Sequence, residues 1–290
     1  RAIAIRPDYA DAHFNKGTTE ARRGNIDGAK TSLERAIAIN PDPRYRLTLA
    51  GLLPVIPASS AEIEKWRKRF FSSISALYSE SGDIAQVAAG GSVMDFYLAY
   101  HGENDRDILV LLARLYRRMF PELVWETPHR FPGPGEDGGR RIRLGFFSAF
   151  LRNHAVAWTI RGLIEQLPKD VFDVSVYTTH SPDGPVMPEI ENAAERVVTL
   201  PKSLDRARRI LADDRLDVLV YADIGMEELS YRLAHARLAP VQCAIWGHPI
   251  TTGIPTIDFF LSNDMTEPEE AEAHYSERLV RLGGVQTCYR

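Results

Sequence analysis

Arg141-Ile-Arg-Leu-Gly-Phe-Phe-Ser-Ala-Phe-Leu-Arg-Asn-His-Ala-Val-Ala-Trp-Thr-Ile-Arg-Gly-Leu-Ile-Glu-Gln-Leu167 carries two hydrophobic periods in succession. Ile142 to Phe147 is a short apolar run of strand type, and Val156, Ile160, Leu163, Ile164 and Leu167 then mark one face of a helix. The alternation continues downstream. Strands are predicted at Phe172 to Tyr177, Val197 to Leu200, Asp217 to Tyr221, Val241 to Trp246 and Ile257 to Leu261, with a short helix after the first of these and a helix over Leu204 to Leu211. Strands alternating with helices build a parallel sheet wrapped by helices, so residues 141–290 read as a Rossmann-like α/β domain.

Upstream the pattern changes. Pro128, Pro132, Gly133, Pro134, Gly135, Gly138 and Gly139 crowd one stretch and break helices and strands alike, which makes 128–140 a linker. Before it, residues 44–127 form a helical connecting region. Ile63, Trp66, Phe70, Ile74 and Leu77 make one buried stripe of a helix expected over Pro54 to Leu77, and Ile108, Leu111, Leu112, Leu115 and Met119 make a second that stops at Pro121. At the start of the chain, Arg-Ala-Ile-Ala-Ile-Arg-Pro7 recurs as Arg-Ala-Ile-Ala-Ile-Asn-Pro41. Its period of 34 residues belongs to tetratricopeptide repeats. Gly17, Gly24, Ala29, Leu33, Ala36 and Pro41 take the small and apolar places of such a repeat, while Lys16 and Glu20 stand where Leu and Tyr are usual. Residues 1–43 are therefore one repeat and the tail of another. A single repeat cannot bury its own apolar face, so further repeats before Arg1 or the following helices are expected to cap it.

Ligands of open α/β sheets bind outside the carboxyl ends of the strands, which directs attention to three polar loops. In Ser148-Ala-Phe-Leu-Arg-Asn-His154, Asn153 is placed to cap the next helix and His154 to fall in its first turn. A helix N-terminus disfavours imidazolium, so His154 is either a neutral acid–base group or a residue of the cap. Ala222-Asp-Ile-Gly-Met226 sets a carboxylate and a glycine after a strand, suited to a hydroxyl-rich ligand or to a helix cap. Gly247-His-Pro-Ile-Thr-Thr-Gly-Ile-Pro255 combines glycines, prolines, hydroxyls and an imidazole, with Thr-to-backbone hydrogen bonds as the simpler account of it.

Composition narrows the choice of function. The 290 residues hold 35 Lys and Arg against 39 Asp and Glu, a net charge of −4, so no global field attracts nucleic acid or an anionic bilayer. Two cysteines, Cys243 and Cys288, form neither a disulfide framework nor a CxxC site and fit a reducing cytoplasm. No apolar run has the length of a membrane span. G-x-G-x-x-G after the first strand, a P-loop, H-E-x-x-H and G-x-S-x-G are all missing, which disfavours nicotinamide enzymes, NTPases, zincins and α/β-hydrolases, and no metal ligands are expected.

The 34-residue repeat, the helix from Pro54 to Leu77, Phe96-Tyr-Leu-Ala-Tyr100, Arg143-Leu-Gly-Phe-Phe-Ser148, Asn153-His154, Leu238-Ala-Pro-Val-Gln-Cys243 and Gly247-His-Pro-Ile-Thr-Thr-Gly253 together resemble the bacterial branch of the O-linked N-acetylglucosamine transferase and SPINDLY family. The resemblance implies helical repeats that collect an acceptor protein, followed by a metal-independent, inverting GT-B glycosyltransferase. Its second Rossmann-like half, holding most of the nucleotide contacts, is expected after Arg290, so this chain would be the N-terminal, acceptor-side half. The co-substrate implied is UDP-GlcNAc, with no further cofactor, and the acceptors are Ser or Thr hydroxyls of proteins. Transfer of fucose, transfer to asparagine and a non-catalytic repeat scaffold are the alternatives. Carried over by motif, Asn153, His154, Pro249, Thr251 and Thr252 lie toward the sugar or acceptor, and His248 matches N-glycosylating relatives at Gly-His-Pro. With the loop residues read above, the catalytic candidates are His154 and His248, and the substrate-binding candidates are Arg152, Asn153, Asp223, Gly247, Pro249, Thr251, Thr252 and Gly253.

Overall fold

A computed structural model describes residues 2–80, 96–129, 131, 139–180 and 184–284. Most of the expected linker, together with Cys288 and Arg290, lies outside the described residues. The chain divides into two compact units, one of Arg1–Glu103 and Arg114–Pro121, the other of Asn104–Ala113 and Glu122–Arg290.

The first unit is helical. After a single turn, α1 (Ala2–Ile5), come α2 (Ala10–Arg22) and α3 (Ile26–Ile39), joined by three residues. Gly17 meets Ala29 and Leu33, and Ser32 Oγ donates to Glu20 at 2.8 Å, so the pair runs antiparallel. Asn25 caps α3 by accepting the Gly28 N–H. The next helix, α4 (Pro43–Ala50), is tied to the pair through Tyr45, whose hydroxyl donates to Asp11 at 2.5 Å and whose ring stacks on Phe14. The following helix, α5 (Ser60–Glu80), starts six residues later than the sequence pattern suggests. Pro54 and Pro57 withhold N–H groups, and the start is fixed instead by a capping box in which Ser59 Oγ accepts the Glu62 N–H and Glu62 accepts the Ala58 N–H. Phe70, Ile74 and Leu77 of the expected stripe are buried.

The second unit is a seven-stranded, fully parallel sheet in the order β3-β2-β1-β4-β5-β6-β7. Its strands are β1 (Ile142–Phe147), β2 (Phe172–Thr178), β3 (Arg196–Thr199), β4 (Val218–Tyr221), β5 (Val241–Ile245), β6 (Phe259–Asn263) and β7 (Arg278–Leu282). The division between the units falls within α6 (Arg106–Met119); α7 (Ala155–Gln166), α8 (Met187–Ala193), α9 (Leu204–Asp213) and α10 (Glu228–Ala234) complete the helices. Val156, Ile160 and Ile164 of α7 pack with Leu144, Phe146, Val174, Val220 and Ile245 in one apolar core. Two features depart from the sequence reading. The sheet gains β7, and residues before the expected linker join this unit: Glu126 pairs with Arg237, and Arg208 donates to the Glu122 carbonyl at 2.7 Å while lying over the Trp125 ring. Backbone pairing, which composition does not reveal, sets that boundary. Among the described residues no helix is long and apolar enough to cross a membrane.

Candidate functional site

With β1 and β4 adjacent at the centre, the chain winds outward in both directions from them, so the switch point of the sheet lies between their carboxyl ends. The loops after β1, β4 and β5 gather there. Gly247 lies so close to β4 that a Cβ would collide with the Ala222 carbonyl, and the same Cβ would touch Val156 in the first turn of α7. Gly225, at φ +95°, lies against the His248 ring, a conformation and an approach that only glycine tolerates. Gly253 packs on the backbone of Leu109 and Val110.

Asp223 anchors the β1 loop. Fully buried, its Oδ2 accepts the Ala149 N–H at 2.7 Å and the Ser148 hydroxyl at 3.0 Å, and Ser148 Oγ accepts the Phe150 N–H at 2.9 Å. Among the described residues Oδ1 has no hydrogen-bond partner. Burial pushes the carboxyl up to about 7, against the lowering effect of the Ala149 and Ser148 bonds and with a further upward push from Glu227. The helix-cap reading of Asp223 is corrected, since Glu227 caps α10 by accepting the Ser230 N–H, and the carboxyl that the sequence offered to a ligand is fully buried with Oδ2 engaged by the β1 loop.

The same loop carries an outward-facing stack. The His154 ring centroid lies 4.6 Å from that of Phe150, and the Arg152 guanidinium sits over the Phe150 ring, 5.7 Å from its centroid. His154, not Asn153, is the cap of α7: its Nδ1 accepts the Val156 N–H at 3.2 Å, while Asn153 is exposed and accepts from Trp158 Nε1 at 3.3 Å. The extended backbone at residue 154 turns the imidazole back over the helix start, which an Asn one position earlier does not reach. A ring nitrogen that accepts is unprotonated, so the neutral imidazole carries its proton on Nε2 and presents a donor. Burial, and then the Arg152 charge, lower the His154 pKa below the ordinary histidine value and keep the ring neutral.

The β5 loop is turned inward. His248 is 4% exposed and burial pulls its pKa down to about 4, so it is neutral at physiological pH. Thr251 and Thr252 are buried too, and their hydroxyls reach Glu277, which precedes β7. Pro249 alone of the candidates here is exposed, beside a half-buried Gly247. The surface offered at the switch point thus consists of Phe150, Arg152, Asn153, His154, Gly247 and Pro249, with Asp223, His248, Thr251 and Thr252 behind it. Sequence reasoning missed Phe150 and Glu277. The alternation of charge and aromatic in Phe150-Leu-Arg152 was a signal for the first, whereas nothing local marks Glu277. Among the described residues no three His, Cys, Asp or Glu side chains gather as a metal-holding group.

Comparison with known proteins gives this arrangement a family. The model of glycosyl transferase family 41 matches residues 119–285, more than half of the chain. The probable UDP-N-acetylglucosamine–peptide N-acetylglucosaminyltransferase SEC of Arabidopsis thaliana is 24% identical over 157 residues, 53% of this chain and 16% of that protein. The corresponding SPINDLY protein of Solanum lycopersicum is 34% identical over 80 residues, 28% of this chain and 9% of its own length. A mutant Thermobaculum terrenum O-GlcNAc transferase shares the fold, with a TM-score of 0.64 at 23% identity over 97% of this chain and 52% of that one. The chain therefore spans about half of the solved relative and a smaller part of the plant proteins, and it belongs to glycosyl transferase family 41.

Proposed function

We propose that this chain is the acceptor-side part of a protein O-GlcNAc transferase, which moves N-acetylglucosamine from UDP-GlcNAc to Ser or Thr hydroxyls with inversion and without a metal. The observation that supports the proposal is the close approach of Gly247 to Ala222 and to Val156, which sets the β5 loop beside the β4 end and the first turn of the helix that His154 caps, at the switch point of a family 41 sheet. The printed names of the plant relatives support GlcNAc as the sugar. On the helical unit, the open pocket between α1 and α2, lined by Ile3, Tyr9, Asn15, Lys16, Glu20 and Arg23, is the place proposed for an acceptor segment.

In this reaction the acceptor oxygen bonds to the anomeric carbon, the bond from that carbon to the diphosphate breaks, and the hydroxyl proton is released. The residues on the open face supply orientation and charge. Arg152, held over Phe150, brings a cation to the carboxyl end of the sheet, and His154 Nε2–H donates to a sugar or acceptor oxygen. Acting as a base instead, His154 would have to exchange its tautomer and give up the Val156 bond. Orientation by fixed donors is worth as much as proton transfer, since a displacement of about 1 Å costs on the order of 10²-fold.

Single-turnover transfer by the full gene product, with UDP-GlcNAc and GDP-fucose compared on Ser/Thr and Asn peptides, tests the reading. Transfer from UDP-GlcNAc to hydroxyls is expected, with His154→Ala slowed about 10²-fold and His154→Asn, which keeps both a cap and a donor, within about tenfold of wild type. Transfer from GDP-fucose alone, or to Asn alone, overturns the assignment. An inactive His154→Asn with an intact fold overturns the donor role in favour of a base.

A further inference from the structure

Resting on the transferase reading, we propose that Glu277 is a positioning residue for transfer, and that the hydroxyls of Thr251 and Thr252 serve it and not the substrate. Glu277 is 6% exposed and precedes β7, at the edge of the sheet, two strands away from β5. Its Oε2 accepts the Thr251 hydroxyl at 2.6 Å; its Oε1 accepts the Thr252 N–H at 2.8 Å and the Thr252 hydroxyl as well. Thr252 Oγ1 in turn accepts the Ile254 N–H at 3.1 Å, and Thr251 Oγ1 accepts the Ser276 N–H at 3.0 Å.

A carboxylate accepts and never donates, so a carboxylate that faces two consecutive threonines draws both hydroxyls and an intervening amide to one side of the loop. Pro249, exposed, and Gly247, half-buried, are the candidates of this loop that remain open to a ligand. Removing the carboxylate leaves buried donors without an acceptor, and the loop must rearrange to hydrate them. Pro249 would move with it, while the sheet beneath keeps its own ladders.

The test uses Glu277→Ala, Glu277→Gln and Thr251→Val/Thr252→Val in the full gene product, with amide hydrogen exchange and steady-state transfer from UDP-GlcNAc. Glu277→Ala is expected to lose protection at Thr252 and Ile254 while β5 and β6 amides stay within about twofold, and to lower kcat about 10²-fold with KM for UDP-GlcNAc within about threefold. Glu277→Gln, whose amide bonds a hydroxyl through either atom, should recover most of both. Adding the two Thr→Val changes to Glu277→Ala should cost no more than about threefold beyond it, because residues of one network are non-additive.

Unchanged exchange and kcat in Glu277→Ala overturn the inference. So does deprotection spread evenly over β5 and β6, which marks a merely structural role, or a Thr251→Val/Thr252→Val loss that adds in full. If the wild-type protein transfers from no nucleotide sugar, the functional reading fails separately. Deprotection confined to 248–254 then still upholds the hold of Glu277 on the loop, and unchanged exchange still overturns it.

Discussion

The β1 and β5 loops are each organised by a buried carboxylate supplied from elsewhere in the sheet, yet they present opposite surfaces. Asp223 binds the root of the β1 loop, at Ser148 and Ala149, and leaves its distal part to stack outward as Phe150, Arg152 and His154. Glu277 binds the distal part of the β5 loop, at Thr251 and Thr252, and turns its polar side chains inward. Where along a loop its anchor attaches decides which side chains a ligand meets. The two histidines follow this rule: His154, beyond its anchor, is half-buried and capping, whereas His248, ahead of its anchor, is packed beneath Gly225.

The largest effect expected from this contrast comes from Asp223→Ala. It strips the acceptor from a buried amide and a buried hydroxyl and should cost about 3 kcal/mol of stability in the α/β unit. Urea unfolding followed by exchange of β1 and β4 amides measures it. Because Asp223 holds the root of its loop, protection at Ala149 and Phe150 should fall first; loss that begins at Thr252 would break the distinction between the anchors.

A smaller effect concerns pH. The folded pKa of Asp223, about 7, lies above its ordinary 3.8, so its contribution to stability is full below pH 3.8 and is lost as pH rises to about 7. The folded pKa of His248, about 4, lies below its ordinary 6.5, so its contribution is full above pH 6.5 and is lost as pH falls to about 4. Between about pH 4 and 6.5 the two slopes oppose each other. Asp223→Asn should therefore uncover stability that falls with falling pH, and His248→Gln stability that falls with rising pH, each approaching about 1.4 kcal/mol per pH unit. Urea midpoints across pH 4 to 7 check the signs; identical profiles in the two variants would contradict the burial of one of them.

Pro249→Ala should have the smallest effect on the fold, within about 0.5 kcal/mol, since the residue is exposed and the loop is held from its other side. A large drop in the thermal midpoint would mean that the proline, and not Glu277, sets the loop.

Much of this architecture was legible in the sequence, because the signals involved are local. The 34-residue repeat and the stripe of Phe70, Ile74 and Leu77 report helical faces, and the apolar runs of β1, β2, β4 and β5 report strands buried on both sides. Val156, Ile160 and Ile164 gave the face of α7 for the same reason. The loops to inspect followed from sheet topology alone, and the strand order places them at its switch point. The strand Arg278–Leu282 escaped because Arg278 and Arg281 break its apolar residues at a sheet edge into a pair and a single leucine, which is no continuous apolar run.

The hydrophobic periods of the sequence determined a parallel α/β unit following a helical one along the chain, and the three loops that could carry chemistry. Which atoms of those loops face outward was decided only by tertiary structure. Asp223 and Ser148 are 75 residues apart, and Thr252 and Glu277 are 25 apart, so each pairing exists only once the sheet has brought distant strand ends together. A histidine or threonine in a sequence declares a hydrogen-bonding capacity; the buried partner that consumes it, and the water it is thereby withdrawn from, are properties of the folded chain.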